Sequence, residues 1–395
     1  NTLVEISDYL YKKNPEGANE TINKLEKKYA GVIEELYSTD EYKSKAKETL
    51  KFNFDLIRSF TKSLFTMFEE KVILAQGELM STALVNMYLN ETGVKSVMIP
   101  ALDYMRIDKN GEPDTAYIKE HLPKLLEAAP DAPIYITQGF ICRNPYGEID
   151  NLKRGGSDYS ASLIGGAIKA EEIQIWTDID GMHNNDPRYV EGTKPVRELL
   201  FEEAAELAYF GAKILHPTCI LPAKINNIPV RLLNTMEPDA PGTTIYNKSE
   251  GGKIKAVAAK DGITAIKIKS GRMLLAYGFL RKVFEIFESY RTAIDMITTS
   301  EVGVSVTIDN TKYLNEIIDD LKKFGTVTVD EDMVIICVVG DLEWNNIGFE
   351  TKVLDAMKDI PVRMVSYGGS NYNISMLIKA EDKKRALESL SKHLF

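Results

Sequence analysis

Cysteine is scarce in this 395-residue sequence: Cys142, Cys219 and Cys337 stand far apart and are odd in number. That excludes a disulfide framework and any cysteine-based metal spacing. It points instead to a reducing compartment in which each thiol is a small buried apolar residue. Positive charge is also short, 48 basic residues against 58 acidic ones for a net charge of −10. This balance disfavours nonspecific nucleic-acid binding and anionic membrane surfaces. No apolar run approaches the ~18 residues needed to cross a bilayer. The opening NTLVEISDYLYKK has neither the basic start nor the apolar core of a secretory signal. A cytoplasmic protein without membrane or nucleic-acid partners is the expectation. An initiating methionine is missing too, so the chain reads as beginning partway into its gene product. Neither GxxxxGK[ST] nor the paired HRD and DFG motifs occur, which removes those two phosphoryl-transfer classes.

What is present is ordinary globular material, 44% hydrophobic and 27% charged, in a chain long enough for two or three domains. Its most informative stretch is Lys153-Arg154-Gly155-Gly156-Ser157-Asp158. A strand-like run, Ile134 to Ile141, precedes it, and a helical pattern from Tyr159 to Ala170 follows. Two glycines allow a tight turn and close backbone approach. A helix N-terminus offers free N–H groups and a positive dipole end, and Arg154 adds a planar fork for a carboxylate or phosphate. Together they make an anion pocket. The same six residues also suit a plain Gly-Gly turn with Ser157 or Asp158 as helix N-cap.

Residues 16–70 read as long helices with two apolar stripes, Ile22 to Leu36 and Leu50 to Phe68. Gly77-Glu78-Leu79-Met80-Ser81 opens a further helix, with Glu78 either dipole-favoured on the surface or aimed into a cleft. Strand and helix patterns then alternate to Phe210, which predicts βαβ units and a mainly parallel sheet. Ligands in such sheets bind beyond the C-terminal strand ends. There lies Thr177-Asp178-Ile179-Asp180-Gly181, a site for Mg²⁺ or phosphate-bound water, or a simple Asp-Gly turn. Asp186-Pro187-Arg188 and Gly211 to Pro217 carry cations to the same edge. Lys213 there is suited to a terminal phosphate, and His216 reads as a structural partner.

After a polar linker at 247–252 the chain nearly repeats itself. Gly278-Phe279 recurs as Gly348-Phe349 at an offset of 70, and Met296 recurs as Met364 at 68. Each copy reads β-turn-α-β-β with a trailing helix. Such small α+β units pair edge to edge and hold a small ligand at the joint.

Seven motifs, in order and over nearly the whole chain, resemble the aspartokinase family: GELMS (77–81), QGFI (138–141), RGGSD (154–158), WTDIDG (176–181), DPR (186–188), GAKILHP (211–217) and ITTSEV (297–302). The resemblance implies an α/β fold: an amino-acid-kinase-like three-layer αβα sandwich with a mainly parallel sheet, plus two C-terminal α+β ACT domains. The expected divisions are 1–246 for the kinase, 247–252 for the linker, 263–330 for the first ACT domain, and 253–262 with 331–395 for the second. The implied chemistry is ATP-dependent phosphorylation of the L-aspartate β-carboxylate. A carboxylate is already ionised, so positioning and charge neutralisation do the work. By resemblance Arg154 clamps the aspartate carboxylate, Glu78 holds its ammonium, and Gly155, Gly156, Ser157 and Asp158 shape the pocket. Thr177, Asp178, Asp180, His183, Asp186, Arg188 and Lys213 form the ATP side. Lys213 and Asp158 are the expected catalytic pair. Mg²⁺ is expected on the phosphates and water, with no direct protein ligand.

In the tail, Met273, Gly278, Phe279, Leu280, Asp295 and Thr298 match positions that bind an amino-acid effector, lysine or threonine. A packed interface with no ligand would use Met273 and Phe279 equally well. Pairing of ACT edges implies a homodimer, and no dehydrogenase-sized segment follows Phe395. Lys153 replaces a glycine usual before the arginine, and His183 stands where relatives have tyrosine. The family's opening K-F-G-G-T-S strand is missing, Asn1 matching a later asparagine. A protein truly beginning at Asn1 would be inactive or a dead amino-acid-binding regulator, and a truncated sequence is the expected explanation.

Overall fold

The computed structural model describes residues 1–153, 155–211, 216–248, 253–270 and 277–395. Arg154, Lys213 and Met273 therefore lie outside the described residues, as does 249–252 of the linker. The chain forms two compact units, Asn1–Ile173 with Thr218–Ile228, and Gln174–Pro217 with Pro229–Phe395.

The first unit begins with α1 (Thr2–Tyr11), α2 (Pro15–Leu36), α3 (Asp40–Ser59) and the long α4 (Met67–Glu91). Local chemistry starts each of the last three. The Asn14 side chain accepts the Gly17 N–H ahead of Pro15, and Thr39 caps α3. Thr66 and Glu69 form a capping box at the head of α4. That box places GELMS in the middle of α4 rather than at a helix start, so Glu78 is a mid-helix residue. The second apolar stripe ends at Phe60, because α3 stops at Ser59 and leaves Leu64 82% exposed. Ile6, Ile22, Ile33, Phe54, Ile57 and Ile73 make the helical core. By length and composition alone α4 could cross a membrane. Here it joins two cores, with Ile73, Met80 and Leu84 in one and Ala75 in the other.

The second core of this unit gathers β1 (Ser96–Met98), α5 (Thr115–Ala128), β2 (Ile134–Ile136), the hairpin β3 (Ile141–Arg143) and β4 (Ile149–Asn151), and α6 (Gly156–Ile168). β1 and β2 are parallel, β3 and β4 antiparallel. The run expected as one strand from Ile134 to Ile141 is thus broken in two. Phe140 adopts φ +67°, and a residue in that left-handed region cannot continue a strand.

The second unit contains β5 (Ile173–Thr177, all but its first residue), β6 (Glu198–Leu200) and α7 (Phe201–Tyr209). α8 (Pro217–Ile225) then carries the chain into the first unit, where Asn226 abuts Gly166 of α6. β7 (Val230–Asn234) and β8 (Thr243–Tyr246) complete a four-stranded sheet, β5-β7-β8-β6. Among the registers described, β6 runs parallel to β8 and β7 antiparallel to it. One antiparallel pair, β7 with β8, thus accompanies the parallel pairs β1–β2 and β6–β8. The cause is local: the loop from β7 to β8 is too short for the crossover that parallel neighbours need.

The sequence repeat then folds as β9 (Ile254–Lys269), α9 (Phe279–Ser289), β10 (Ile297–Ser300), β11 (Gly303–Ile308), α10 (Leu314–Lys322), β12 (Thr326–Gly340), α11 (Phe349–Ala356), β13 (Met364–Ser366), β14 (Asn373–Lys379) and α12 (Lys383–Leu394). All its strands join one antiparallel sheet, ordered β10-β11-β9-β12-β14-β13. The long β9 and β12 belong to both copies. The later half of β9 pairs with β11 and with the start of β12, and its earlier half pairs with the end of β12. Val283, Phe287, Ile317 and Leu321 cover one copy, and Val353, Met357, Leu387 and Leu390 the other.

Candidate active site

In the first unit three elements converge on the glycine pair. Gly155 enters α6 in the left-handed conformation, φ +70°, and no side chain caps the helix. Ser157 and Asp158 therefore sit in its first turn rather than acting as N-cap, beside the leading N–H groups and the positive dipole end. Both glycines of the contact are closely packed, Gly156 the more tightly. A Cβ on Gly156 would come within 2.7 Å of the Phe140 ring, and one on Gly139 within 3.1 Å of the Ser157 backbone. Ser160 Oγ accepts the Phe140 N–H at 3.0 Å and ties the strand end to α6. The carboxamide of Gln138 donates to Thr82 Oγ1 at 2.9 Å and accepts the Ala101 N–H at 2.8 Å. Thr82 in turn donates to the Glu78 carbonyl at 2.7 Å. This chain of contacts carries the Glu78 turn of α4 to the strand end that abuts Ser157. Burial alone pushes the half-buried Glu78 carboxyl above the usual carboxylate range. Gln138 and Thr82 were not singled out by residue type; only the position of Gln138 in QGFI signals them.

The second unit holds a cleft of about 530 Å³, of a size that suits a nucleotide. Asp178, Asp180, His183, Asp186 and Arg188 all line it, as does Gly211. Thr177 lies beneath, its hydroxyl oxygen accepting the Ile179 N–H at 3.1 Å to tighten the turn after β5. Gly181, φ +77°, lets that turn pass against Thr243, where a Cβ would collide.

The charges divide by partner. Arg197 donates to both oxygens of Asp180 at 3.1 and 3.0 Å, and the Gly242 N–H adds a third bond at 2.9 Å. Asp180 is thus a fastening of the loop. Asp178 lines the cleft and makes no hydrogen bond or ion pair among the described residues. Arg188 folds back on Asp186 in a fork of 2.9 and 2.6 Å. Burial works to raise the Asp186 carboxyl, but Arg188 outweighs it and holds it below its usual range. Burial also lowers His183, whose Nδ1 lies 2.9 Å from Thr193 Oγ1, so a neutral imidazole faces the cleft. The sequence reading missed Arg197 and also the cleft floor, Val257, Ala258 and Ala259 of β9. Nothing in their residue types marks those three.

Of the expected effector residues, Gly278 heads α9 in the left-handed conformation, φ +80°, Phe279 is buried and Leu280 is partly exposed. The Asp295 side chain is 1% exposed and its Oδ1 accepts from Lys260 Nζ at 2.6 Å and Tyr209 OH at 3.0 Å. Thr298 stands on the edge strand β10, opposite Ser305. Among the described residues, no group of three or more His, Cys, Asp or Glu side chains gathers as a metal site.

Comparison with known proteins supplies the relationship. The pattern of the amino acid kinase family matches residues 17–234 and that of an ACT domain matches 336–394. The lysine-sensitive aspartokinase 3 of Escherichia coli is 35% identical over 340 residues, covering 82% of this chain and 75% of that one. A chloroplastic aspartokinase 3 of Arabidopsis thaliana is 34% identical over 349 residues, 84% of this chain but 62% of its own length. The crystal structure of E. coli aspartokinase III with aspartate and ADP superposes with a TM-score of 0.82 at 31% identity, over 99% of this chain and 91% of that one. The same enzyme with lysine and aspartate gives 0.77, over 99% and 90%. By fold, by family pattern and by these relatives, the chain belongs to the aspartokinases of the amino acid kinase family, with an ACT region at its C-terminal end.

Proposed function

We propose that this chain transfers the terminal phosphoryl group of ATP to the β-carboxylate of L-aspartate, giving 4-phospho-L-aspartate and ADP, a committing step toward lysine, threonine and methionine. One carboxylate oxygen attacks the γ-phosphorus, and the bond to the β,γ-bridging oxygen breaks with its electrons leaving on ADP. No proton moves, so no general base is needed. The observation that carries the reading is the N-terminus of α6 behind its left-handed Gly155, without a side-chain cap among the described residues, a backbone arrangement suited to an anion.

On this reading Arg154 clamps the substrate carboxylate and Glu78 takes its ammonium, with Gly155, Gly156, Ser157 and Asp158 shaping the pocket. The cleft of Asp178, His183 and Asp186 takes the nucleotide, with Thr177 and Asp180 holding its loop, Arg188 at its edge and Lys213 at the phosphates. Mg²⁺ would rest on phosphate oxygens and water, with Asp178 accepting from that water, and would supply charge neutralisation. Relatives carrying aspartate, ADP and lysine support the ligand classes. An amino-acid effector, lysine or threonine, would bind through Gly278, Phe279, Leu280, Asp295, Thr298 and Met273. The sheet halves support the division of the C-terminal region into 263–330 and 253–262 with 331–395, and the family match over 17–234 supports 1–246 as the kinase part. The exposed Ile297 of the β10 edge, Val302 in the turn after it and Val365 of β13 suit a homodimer through this region. The three free buried cysteines suit a cytoplasmic setting.

Hydroxamate trapping of aspartyl phosphate, with ATP, Mg²⁺ and L-aspartate, tests the activity. Arg154→Ala should raise the KM for aspartate by about tenfold or more, as expected for a lost charge-assisted bidentate contact. An unchanged KM would remove Arg154 from the acceptor site.

A further inference from the structure

One wall of the nucleotide-sized cleft is Asn185, Asp186, Pro187 and Arg188, and the last helix of the chain holds it. Asn185 is 2% exposed, and both ends of its carboxamide are engaged. Oδ1 accepts the Asp186 N–H at 2.9 Å, and Nδ2 donates to the Leu387 carbonyl at 2.9 Å. Leu387 lies 202 residues onward, in α12. The turn after Asn185 is closed by the Asp186 carbonyl, which accepts the Tyr189 and Val190 N–H groups at 3.1 and 3.0 Å. Val190 is buried in the core of the second repeat copy with Leu387 and Leu390, and Tyr189 packs against that core.

Lys383 begins α12 and is 6% exposed. Its ammonium lies 4.2 Å from the centre of the Tyr189 ring and donates to both oxygens of Asp261, at 2.8 and 2.7 Å. Asp261 stands on β9, two residues past Ala259 of the cleft floor. A buried ammonium persists only where partners hold it, here an aromatic face and a carboxylate. The helix α12 thus fastens the wall through Asn185 and Tyr189, and the floor strand through Asp261.

We infer that Asn185 and Lys383 are positioning residues for the nucleotide, through which α12 sets the wall from Asp186 to Arg188. The nucleotide site is then built jointly by the kinase part and the second repeat copy, with no effector needed for the link. This inference rests on the reading of the cleft as the ATP site and adds the residues that hold its shape.

Lys383 stands behind the lining residues, so its replacement acts on the cleft through Tyr189 and Asp261. Full-length wild type, Lys383→Met, Lys383→Arg and Asn185→Ala would be compared by hydroxamate trapping with ATP and aspartate varied in turn. Lys383→Met and Asn185→Ala should each raise the KM for ATP about fivefold, as expected for one lost buried contact, and leave the KM for aspartate within about twofold. Lys383→Arg keeps a cation for both the ring and the carboxylate, and should restore the wild-type value. Amide exchange at residues 185–190 should rise in Lys383→Met. An unchanged KM for ATP in Lys383→Met, or no rescue by Arg, overturns the positioning role. So does a rise of both KM values together with a lower melting temperature, which marks general loosening. Binding of a fluorescent ATP analogue with Mg²⁺ separates the two readings. A wild type that does not bind it, with exchange still raised by Lys383→Met, refutes the ATP reading and leaves the tie from α12 to the wall standing. Unchanged exchange removes the tie itself.

Discussion

The two copies of the C-terminal repeat use one scaffold with opposite charge. Gly278 and Gly348 both head a helix with positive φ, +80° and +95°, and the phenylalanines that follow are both buried. Val283 and Val353 are both fully buried beneath those helices. Asp295 and Arg363 occupy the same place, each donating its backbone N–H to the third strand of its copy, to Thr307 and to Leu377. Yet Asp295 is buried and shared by Lys260 and Tyr209, whereas Arg363 is partly exposed and pairs with Asp330 at 2.8 Å. The glycine and the apolar positions maintain the fold in both copies. The single ionisable position separates a buried carboxylate shared by two donors from a surface ion pair.

The strongest challenge to the shared scaffold is truncation of its anchors. Phe279→Ala and Phe349→Ala should each cost about 3–5 kcal/mol in chemical denaturation, and a loss confined to one copy would break the equivalence. Next comes the charge that separates them. Asp295→Asn should cost about 3 kcal/mol by breaking a buried pair, and should also abolish inhibition by the amino-acid effector. Inhibition that persists in the Asn variant would move the effector elsewhere. Gly278→Ala and Gly348→Ala meet no neighbouring atom, so only the left-handed backbone is penalised, about 1 kcal/mol each in thermal denaturation. Arg363→Gln should change stability by about 1 kcal/mol or less and leave effector response intact, as a surface pair permits.

The gentlest test contrasts the buried, paired Asp295 with the half-buried Glu78, whose carboxyl makes no hydrogen bond or ion pair among the described residues. Glu78 is raised by burial alone, so its protonated form suits the fold. Its contribution is fully present below the unfolded carboxyl value of about 4.3 and is lost as pH rises through the higher folded value. Glu78→Gln should therefore melt higher than wild type at about pH 7 and match it near pH 4. A constant difference between the two would show that the carboxyl does not titrate across that range.

Much of the architecture is written locally. Capping boxes, glycines and apolar spacing act within a turn or two, and the strand, glycine pair and helix around 134–168 could be read for that reason. Where reading failed, the cause was a signal of another range. GELMS was set at a helix start because its glycine outweighed a capping box farther upstream. The broken strand at Phe140 turned on one backbone angle that the side chain does not advertise. Asp180 and Arg188 both line the cleft, and their pairing with Arg197 and Asp186 is a contact that residue type alone does not advertise.

By itself the sequence determined the family, the repeat and the residues of the two candidate loops, because motif order and periodicity need no knowledge of distant contacts. Only the tertiary structure decided which of those charges is available. Asp295, Lys260 and Tyr209 are separated by up to 86 residues, and Asp180 and Arg197 by 17. Whether a charge faces a ligand or a partner depends on which segments folding brings within about 3 Å of it. That proximity is a property of the packed chain and of no window along it.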